Sequence, residues 1–255
     1  MGKCRLCLQE KELIKKSHII PDFMYRHSNM YNENHQIHTF TLDDLIKGKG
    51  PQMIYTGEYE GNLLCSDCDN RIIGELENYG KNVIFGGNDK NNDPCCEGFQ
   101  DQENRKFWIC RNVNYRKYKL FMLSILWRMG ISSRPLFKDI QLGEHEEALR
   151  SMILNSNPRE FYCYPIFSST FLKDKSAPKD MIVQPVQFKG SIEKVLLILP
   201  GMLHAFVLST DDKTFPLDEL KNTVINEDDR LFIYEMDEGA TMSYIKNLSG
   251  LKLPF

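Results

Sequence analysis

The hydrophobic pattern divides the chain into a helical middle and a strand-rich end. From Asp69 to Tyr79, the residues Ile72, Ile73, Leu76 and Tyr79 recur at three- and four-residue steps, with Glu75 and Glu77 between them, which predicts a helix with one apolar stripe. Tyr115–Gly130 (YRKYKLFMLSILWRMG) is apolar on nearly every face after its first turn and predicts a central buried helix. Asn112 or Asn114 can cap its start and Gly130 can end it. Glu144–Leu154 returns to a single face through Ala148, Leu149, Met152 and Ile153, and Glu144, Glu146 and Glu147 suit the positive end of its dipole. From Phe161 onward, short β-branched and aromatic runs predict strands at Phe161–Phe167, Met181–Gln187, Val195–Leu199, Leu203–Leu208 and Leu231–Met236, with a closing helix at Ala240–Leu248.

Before Asp69 the pattern is weaker. Leu13–Ile20 reads as a strand ended by Pro21, and Met30–Gly61 as a polar loop with a short helix near Leu42–Ile46. Gly86–Gln102 is turn-rich. The organisation expected is therefore a module over 1–85, a linker over 86–104 and a second domain over 105–255, with no internal repeat. The expected fold class is α+β: an N-terminal metal-bound finger, then an α+β domain with a buried helix and an antiparallel sheet.

Composition narrows the setting. Hydrophobic residues make up 42% of the chain, enough for a packed core. No apolar run approaches the ~20 residues of a membrane span. The best candidate, Val195–Leu208, is cut by Pro200-Gly201 and contains His204. Eight cysteines in 255 residues are too sparse for a disulfide scaffold, and no signal peptide opens the chain. A soluble, reduced, cytoplasmic protein with no membrane partner is expected. Net charge is −3, but its distribution is uneven: residues 81–135 carry 10 Lys/Arg against 5 Asp/Glu, and Asn104–Lys138 holds no acid. In that run Arg105, Lys106, Arg111, Arg116, Lys117 and Lys119 interleave with Phe107, Trp108, Tyr115 and Tyr118. It reads either as a phosphate-binding surface or as a solvated rim around the buried helix.

The cysteines carry the sharpest chemistry. Cys4/Cys7 and Cys65/Cys68 are two Cys-x-x-Cys pairs, and two such turns complete a tetrahedral thiolate site for zinc with bonds of about 2.3 Å. Four thiolates leave no open coordination position, so this zinc is expected to be structural. Cys95 and Cys96 are adjacent, a poor chelating geometry, and read as surface thiols; His145 and His204 read as packing or surface residues.

The order of parts is Cys-x-x-Cys, a strand ending in histidine, a loop, and Cys-x-x-Cys followed at once by Asp69-Asn70 and a helix. Through CRLC at 4–7, SHIIP at 17–21 and NLLCSDCDN at 62–70, the first third resembles the zinc-bound HNH (His-Me finger, ββα-metal) endonucleases. The resemblance implies a metal-dependent phosphodiester hydrolase acting on DNA, with RNA the alternative, of a kind often used in bacterial restriction or anti-phage defence. It implies that His18 is the general base, that Asn62 orients the histidine loop, and that Asp69 is a ligand for Mg²⁺ or Mn²⁺, with Asn70 or Glu75 completing the shell. A histidine of pKa about 6.5 suits water activation near neutral pH. One departure stands out. The family commonly places Asp, Glu or His, a direct metal ligand, before the catalytic histidine, and here that residue is Ser17, with His27, His35 and His38 nearby as substitutes. Ser17 keeps a second reading open, a non-catalytic zinc-ribbon adaptor for nucleic acid or protein. A third is a ligand-sensing regulator that uses the finger as a scaffold. The second domain could grip substrate, contact a protein partner or form a homo-oligomer.

Overall fold

Two cysteine turns organise the N-terminal third, and one large sheet organises most of the remainder. The structure, a computed structural model, describes residues 1–26, 36–41, 44, 47–54, 57–87, 93–175, 181–241 and 243. Strands β1 (Gly2–Lys3) and β2 (Glu10–Lys11) pair antiparallel around the first cysteine turn. The histidine sits on β3 (Ser17–His18), and α1 (Asp22–Arg26) begins just after Pro21. β4 (Ile37–Phe40) and β5 (Gln52–Ile54) form an antiparallel pair where a loop was expected. The inward alternation of Ile37 and Thr39 is too short to stand out among polar neighbours. The helix expected near Leu42–Ile46 rests on 42, 43, 45 and 46, and these, like His27 and His35, lie outside the described residues. His38 lies on β4, away from the histidine strand in sequence and sheet.

β6 (Tyr59–Glu60) pairs antiparallel with β3, setting Tyr59 opposite His18. Asp67–Ile73 then winds as a π-helix running directly into α2 (Gly74–Phe85), with the Gly74 N–H donating to the Asp69 carbonyl five residues back. β7 (Cys95–Gln100) and β8 (Lys106–Arg111) make a hairpin, so part of the stretch expected to be linker is strand. Its register sets Cys96 opposite Cys110, and a disulfide joins them. The expectation of surface thiols therefore holds for Cys95, free and exposed, and is corrected for Cys96. Adjacency in sequence says nothing about a partner 14 residues away that only cross-strand register brings near.

The buried helix is α3 (Tyr115–Ile131), and its N-cap is Asn114, whose side chain accepts from the Lys117 N–H. The second helix, α4 (His145–Leu154), packs against it. β9 (Ile166–Thr170) starts later than expected, because Phe161–Pro165 turns and Tyr164 holds a φ of 52°. β10 (Met181–Phe188), β11 (Lys194–Leu199), β12 (Met202–Val207), the short α5 (Leu217–Lys221) and β13 (Leu231–Glu235) complete the described elements. Of the closing helix expected at Ala240–Leu248, most lies outside the described residues.

The large sheet runs β5-β4-β10-β11-β12-β9-β13-β8-β7. It is antiparallel except where β4 meets β10 and β9 meets β13. Val195, Leu197 and Leu199 face the cluster that contains α3, and Leu196 and Ile198 face a second cluster with Phe167, Leu203 and Val207. Coverage on both faces explains why this run shows no polar alternation. The first cluster continues from α3 into Cys4, Leu6, Ile19, Leu64 and Cys68, so the cysteine turns share a core with the buried helix.

Lys119 points into this core. It is 1% exposed, and its Nζ donates to the Tyr115 hydroxyl at 2.9 Å and to the Glu160 carbonyl at 2.6 Å. Its reading as a phosphate contact is corrected: the ammonium lies where no nucleic acid reaches. Burial pushes it down from 10.5 to about 7. Between these values the unfolded chain holds the proton and the folded chain does not, so this group makes stability rise with pH. Lys119→Met should flatten that rise in urea unfolding between about pH 7 and about pH 10.

Candidate metal centre and histidine strand

The four predicted cysteines converge. Their sulfurs all lie within 4.8 Å of one another, and Cys7 Sγ is 4.0 Å from Cys65 Sγ. Thiolates about 2.3 Å from a central zinc stand about 3.8 Å apart, so a modest contraction suits the ion. The first turn closes where Leu8 adopts φ 60° and donates its N–H to the Cys4 carbonyl at 2.8 Å. The two halves are stitched by the Cys65 N–H on Cys4 Sγ at 3.3 Å. Burial pushes the Cys4 thiol up, but N–H groups of Cys7, Cys65 and Leu6 outweigh it and bring it to about 7. Cys65 and Cys68 are raised chiefly by burial. Buried thiols held at one point are a donor set for a soft or borderline ion, and the cluster could hold a metal such as zinc.

The first turn is seated on α4, where Arg150 Nη1 donates to the Leu6 carbonyl at 2.5 Å and Arg5 pairs with Glu146 at 2.8 Å. The second turn contacts β3 through the residue that follows it, Asp69. Ser17, buried on that strand, donates its hydroxyl to Asp69 Oδ1 at 2.5 Å. The residue before the histidine and the residue after the last cysteine are therefore in contact. The His18 ring has Nε2 3.7 Å from Asp22 Oδ1 and meets the Tyr59 ring edge-on at 6.3 Å. Burial draws the imidazole below 6.5 against the opposing pull of Asp22, so it is neutral at neutral pH.

The strand pair is pinned to the C-terminal half of α3. Arg128, 1% exposed, donates from Nη1 to the His18 carbonyl at 2.7 Å and to Glu77 Oε1 at 2.6 Å. Glu60 accepts from the Ser132 and Ser133 hydroxyls at 2.7 Å each, and Arg134 pairs with Glu58 at 3.1 Å. None of these anchors was expected. A signal existed: Arg128 is the one charge in Leu120–Ile131, and a lone charge in an apolar helix requires a buried partner. Arg128→Met strips donors from the His18 carbonyl and Glu77 together. We expect it to lower unfolding free energy by about 3 kcal/mol in chemical denaturation.

The other predicted site residues disperse. Asn62 is exposed at φ 62°, and its backbone N–H, rather than its side chain, ties the loop, donating to the Ile14 carbonyl at 2.9 Å. Asn70 turns its amide to Ser66 at 2.9 Å. Glu75 lines a cleft beside Cys7 and Cys68, whereas Asp69 faces Ser17. The acid nearest the histidine strand along α2 is Glu77, already engaged by Arg128. Among the described residues, the four cysteines are the only cluster of three or more metal-binding side chains.

The basic run also divides. Arg105 pairs with Asp101 at 2.6 Å and Arg111 with Glu97 at 2.7 Å, both at the surface, and Lys106 opens β8 exposed. Arg116 and Lys117 instead line the cleft of about 800 Å³ that Glu75 shares with Cys7, Cys68, Lys11 and Arg71. No family model, curated protein or solved structure matches this chain, and the likeness to the HNH endonucleases rests on residues 4–7, 17–21 and 62–70.

Proposed function

We propose that the chain is a metal-dependent nuclease of the HNH type acting on DNA, with a structural zinc on Cys4, Cys7, Cys65 and Cys68. The Ser17–Asp69 contact at 2.5 Å carries this reading, because it joins the two positions at which that family supplies metal ligands. Asp69 meets the lower limit for Mg²⁺ or Mn²⁺, which commonly rest on one or two carboxylates and take water and phosphate at other positions. A bound divalent ion would neutralise charge on the scissile phosphate. His18, neutral and partly exposed on the pinned strand, takes a proton from the attacking water. Ser17 holds the Asp69 carboxylate in one orientation. The experiment is nicking of supercoiled plasmid with Mg²⁺ or Mn²⁺ against a chelated control, with an RNA arm.

The adaptor reading keeps one observation in its favour. The Asp69 side has a single carboxylate engaged by a hydroxyl, and the described residues supply no second ligand cluster. Nucleic-acid binding without cleavage in any divalent ion would select it.

For either reading, the cleft beside the cysteine cluster offers the phosphate contacts. Arg116→Gln and Lys117→Gln should each reduce the slope of log affinity against log salt by about one on duplex DNA. Lys119→Gln should leave that slope unchanged while lowering the melting temperature. An unaltered slope in the Arg116/Lys117 double variant returns these residues to the role of a solvated rim.

A further inference from the structure

A cavity of about 320 Å³ opens between the N-terminal third and the helix-facing side of the sheet, within the size range of small-molecule sites. Its walls come from distant parts of the sequence: Phe85 at the end of α2, Tyr118 of α3, Trp108 of β8, and Leu199, Met202 and Leu231 of the sheet. The lining is predominantly apolar, with aromatic rings from three separate elements.

One polar group interrupts it. His204 of β12 lines the cavity at 2% exposure, in the same sheet face as Phe206 of the α3 cluster. Its Nδ1 shares a hydrogen bond with the Ser168 hydroxyl at 3.0 Å. Among the described residues Nε2 has no hydrogen-bond partner. Nor is it among the described side-chain atoms sealed off without one, which are Trp127 Nε1 and Thr241 Oγ1. With Nδ1 engaged by Ser168, Nε2 is the ring nitrogen left for the cavity that His204 lines. An imidazole nitrogen facing an apolar hollow is costly unless something hydrogen-bonds to it.

The charges near the mouth define what that something is. Lys173 pairs with Glu235 at 2.9 Å, and the same Glu235 oxygen accepts from Trp108 Nε1 at 2.9 Å. The carboxylate and the ammonium are matched to each other, so a charged guest finds no spare counter-charge in this pair. Burial holds His204 at about 4, so the floor is uncharged as well.

We propose that this cavity binds a small neutral aromatic molecule, its ring against Trp108 and Tyr118 and its polar edge hydrogen-bonded to His204. The site is independent of the cysteine cluster and of the nuclease reading. It turns a histidine that reads as packing into the recognition group of a pocket.

The probe is 7-azaindole, a neutral bicycle with one N–H donor and one ring-nitrogen acceptor, so it serves either tautomer of His204. Indene has the same shape and neither group, and the 3-carboxylate of 7-azaindole adds a charge. Calorimetry on the full chain should give saturable 1:1 binding of 7-azaindole and of indene, with the carboxylate at least tenfold weaker. His204→Phe should weaken 7-azaindole roughly three- to tenfold and leave indene unchanged. Met202→Trp fills the cavity and should abolish binding of both, with thermal midpoints reporting that each variant folds. If His204→Phe does not fold, the carboxylate comparison and Met202→Trp carry the test. The proposal is overturned by absent saturable binding, by equal affinity for the carboxylate, by binding that survives Met202→Trp, or by a folded His204→Phe that binds 7-azaindole as wild type does.

Discussion

Cys65→Ser should abolish stoichiometric zinc and unfold the first third of the chain, the largest effect expected from any single substitution here. Zinc on four thiolates contributes folding free energy of order 10 kcal/mol in small modules, because the unfolded chain has no such site. The secondary structure around the cysteines cannot replace it: β1, β2, β3 and β6 are two residues each. Serine keeps the residue 65 N–H on Cys4 Sγ and the backbone bridge to Leu13, so the damage comes from the lost thiolate, the ligand through which the second turn joins the first. The damage should extend further, since Cys4, Leu6, Ile19 and Cys68 belong to the cluster that surrounds α3. Elemental analysis should read one zinc per wild-type chain and none per variant. Hydrogen exchange should show lost protection in 1–26 and 57–73, with partial loss along α3. Wild-type protein purified without zinc, yet cooperatively folded through the first third, would remove the basis for the metal reading.

What could be read without coordinates follows from the range over which each signal acts. Local periodicity sufficed for α3 and α4, because a helix is specified by neighbours three and four residues apart. The cysteine cluster was legible for a different reason: a chelating pair needs only a tight turn, and two turns meeting at one ion is a chemical constraint independent of the path between them. The basic run divided because charge counted along the chain is not charge counted in space. Its Arg105, Arg111, Arg128 and Arg134 meet Asp101, Glu97, Glu77 and Glu58, three of them far away in sequence. The Cys96–Cys110 disulfide and the strands β4, β5 and β7 were hidden likewise, since each depends on a register that pairs distant or polar segments. His204 looked ordinary because a histidine in an apolar strand is usually a satisfied one. Only the cavity that it lines distinguishes it.

His18→Ala should reduce metal-dependent cleavage by about 10²–10⁴ while zinc content and fold stay intact. The side chain is partly exposed and its nearest charged partner, Asp22, is 3.7 Å away, so little packing is lost. The strand is held through the His18 carbonyl by Arg128 and by pairing with Tyr59, contacts that alanine keeps. Because burial holds the imidazole below 6.5, the acid limb of the wild-type rate profile should fall below that value and vanish in the variant. Asp69→Ala should give a comparable loss by another route, weakened metal affinity, and high Mn²⁺ should restore part of the activity. Ser17→Asp separates a thin site from a dead one. It sets a second carboxylate against Asp69, where hydrogen bonding now holds one, and like charges at that separation disfavour the folded apo state. A divalent ion that binds between them reverses the sign. Mn²⁺ should therefore raise the melting temperature of Ser17→Asp more than that of wild type, and cleavage should rise with it. If both proteins are inert on DNA and RNA in Mg²⁺, Mn²⁺ and Ni²⁺, and Mn²⁺ leaves both melting temperatures unchanged, the nuclease reading falls. The strand beside the cysteine cluster is then a binding surface, and the adaptor takes its place.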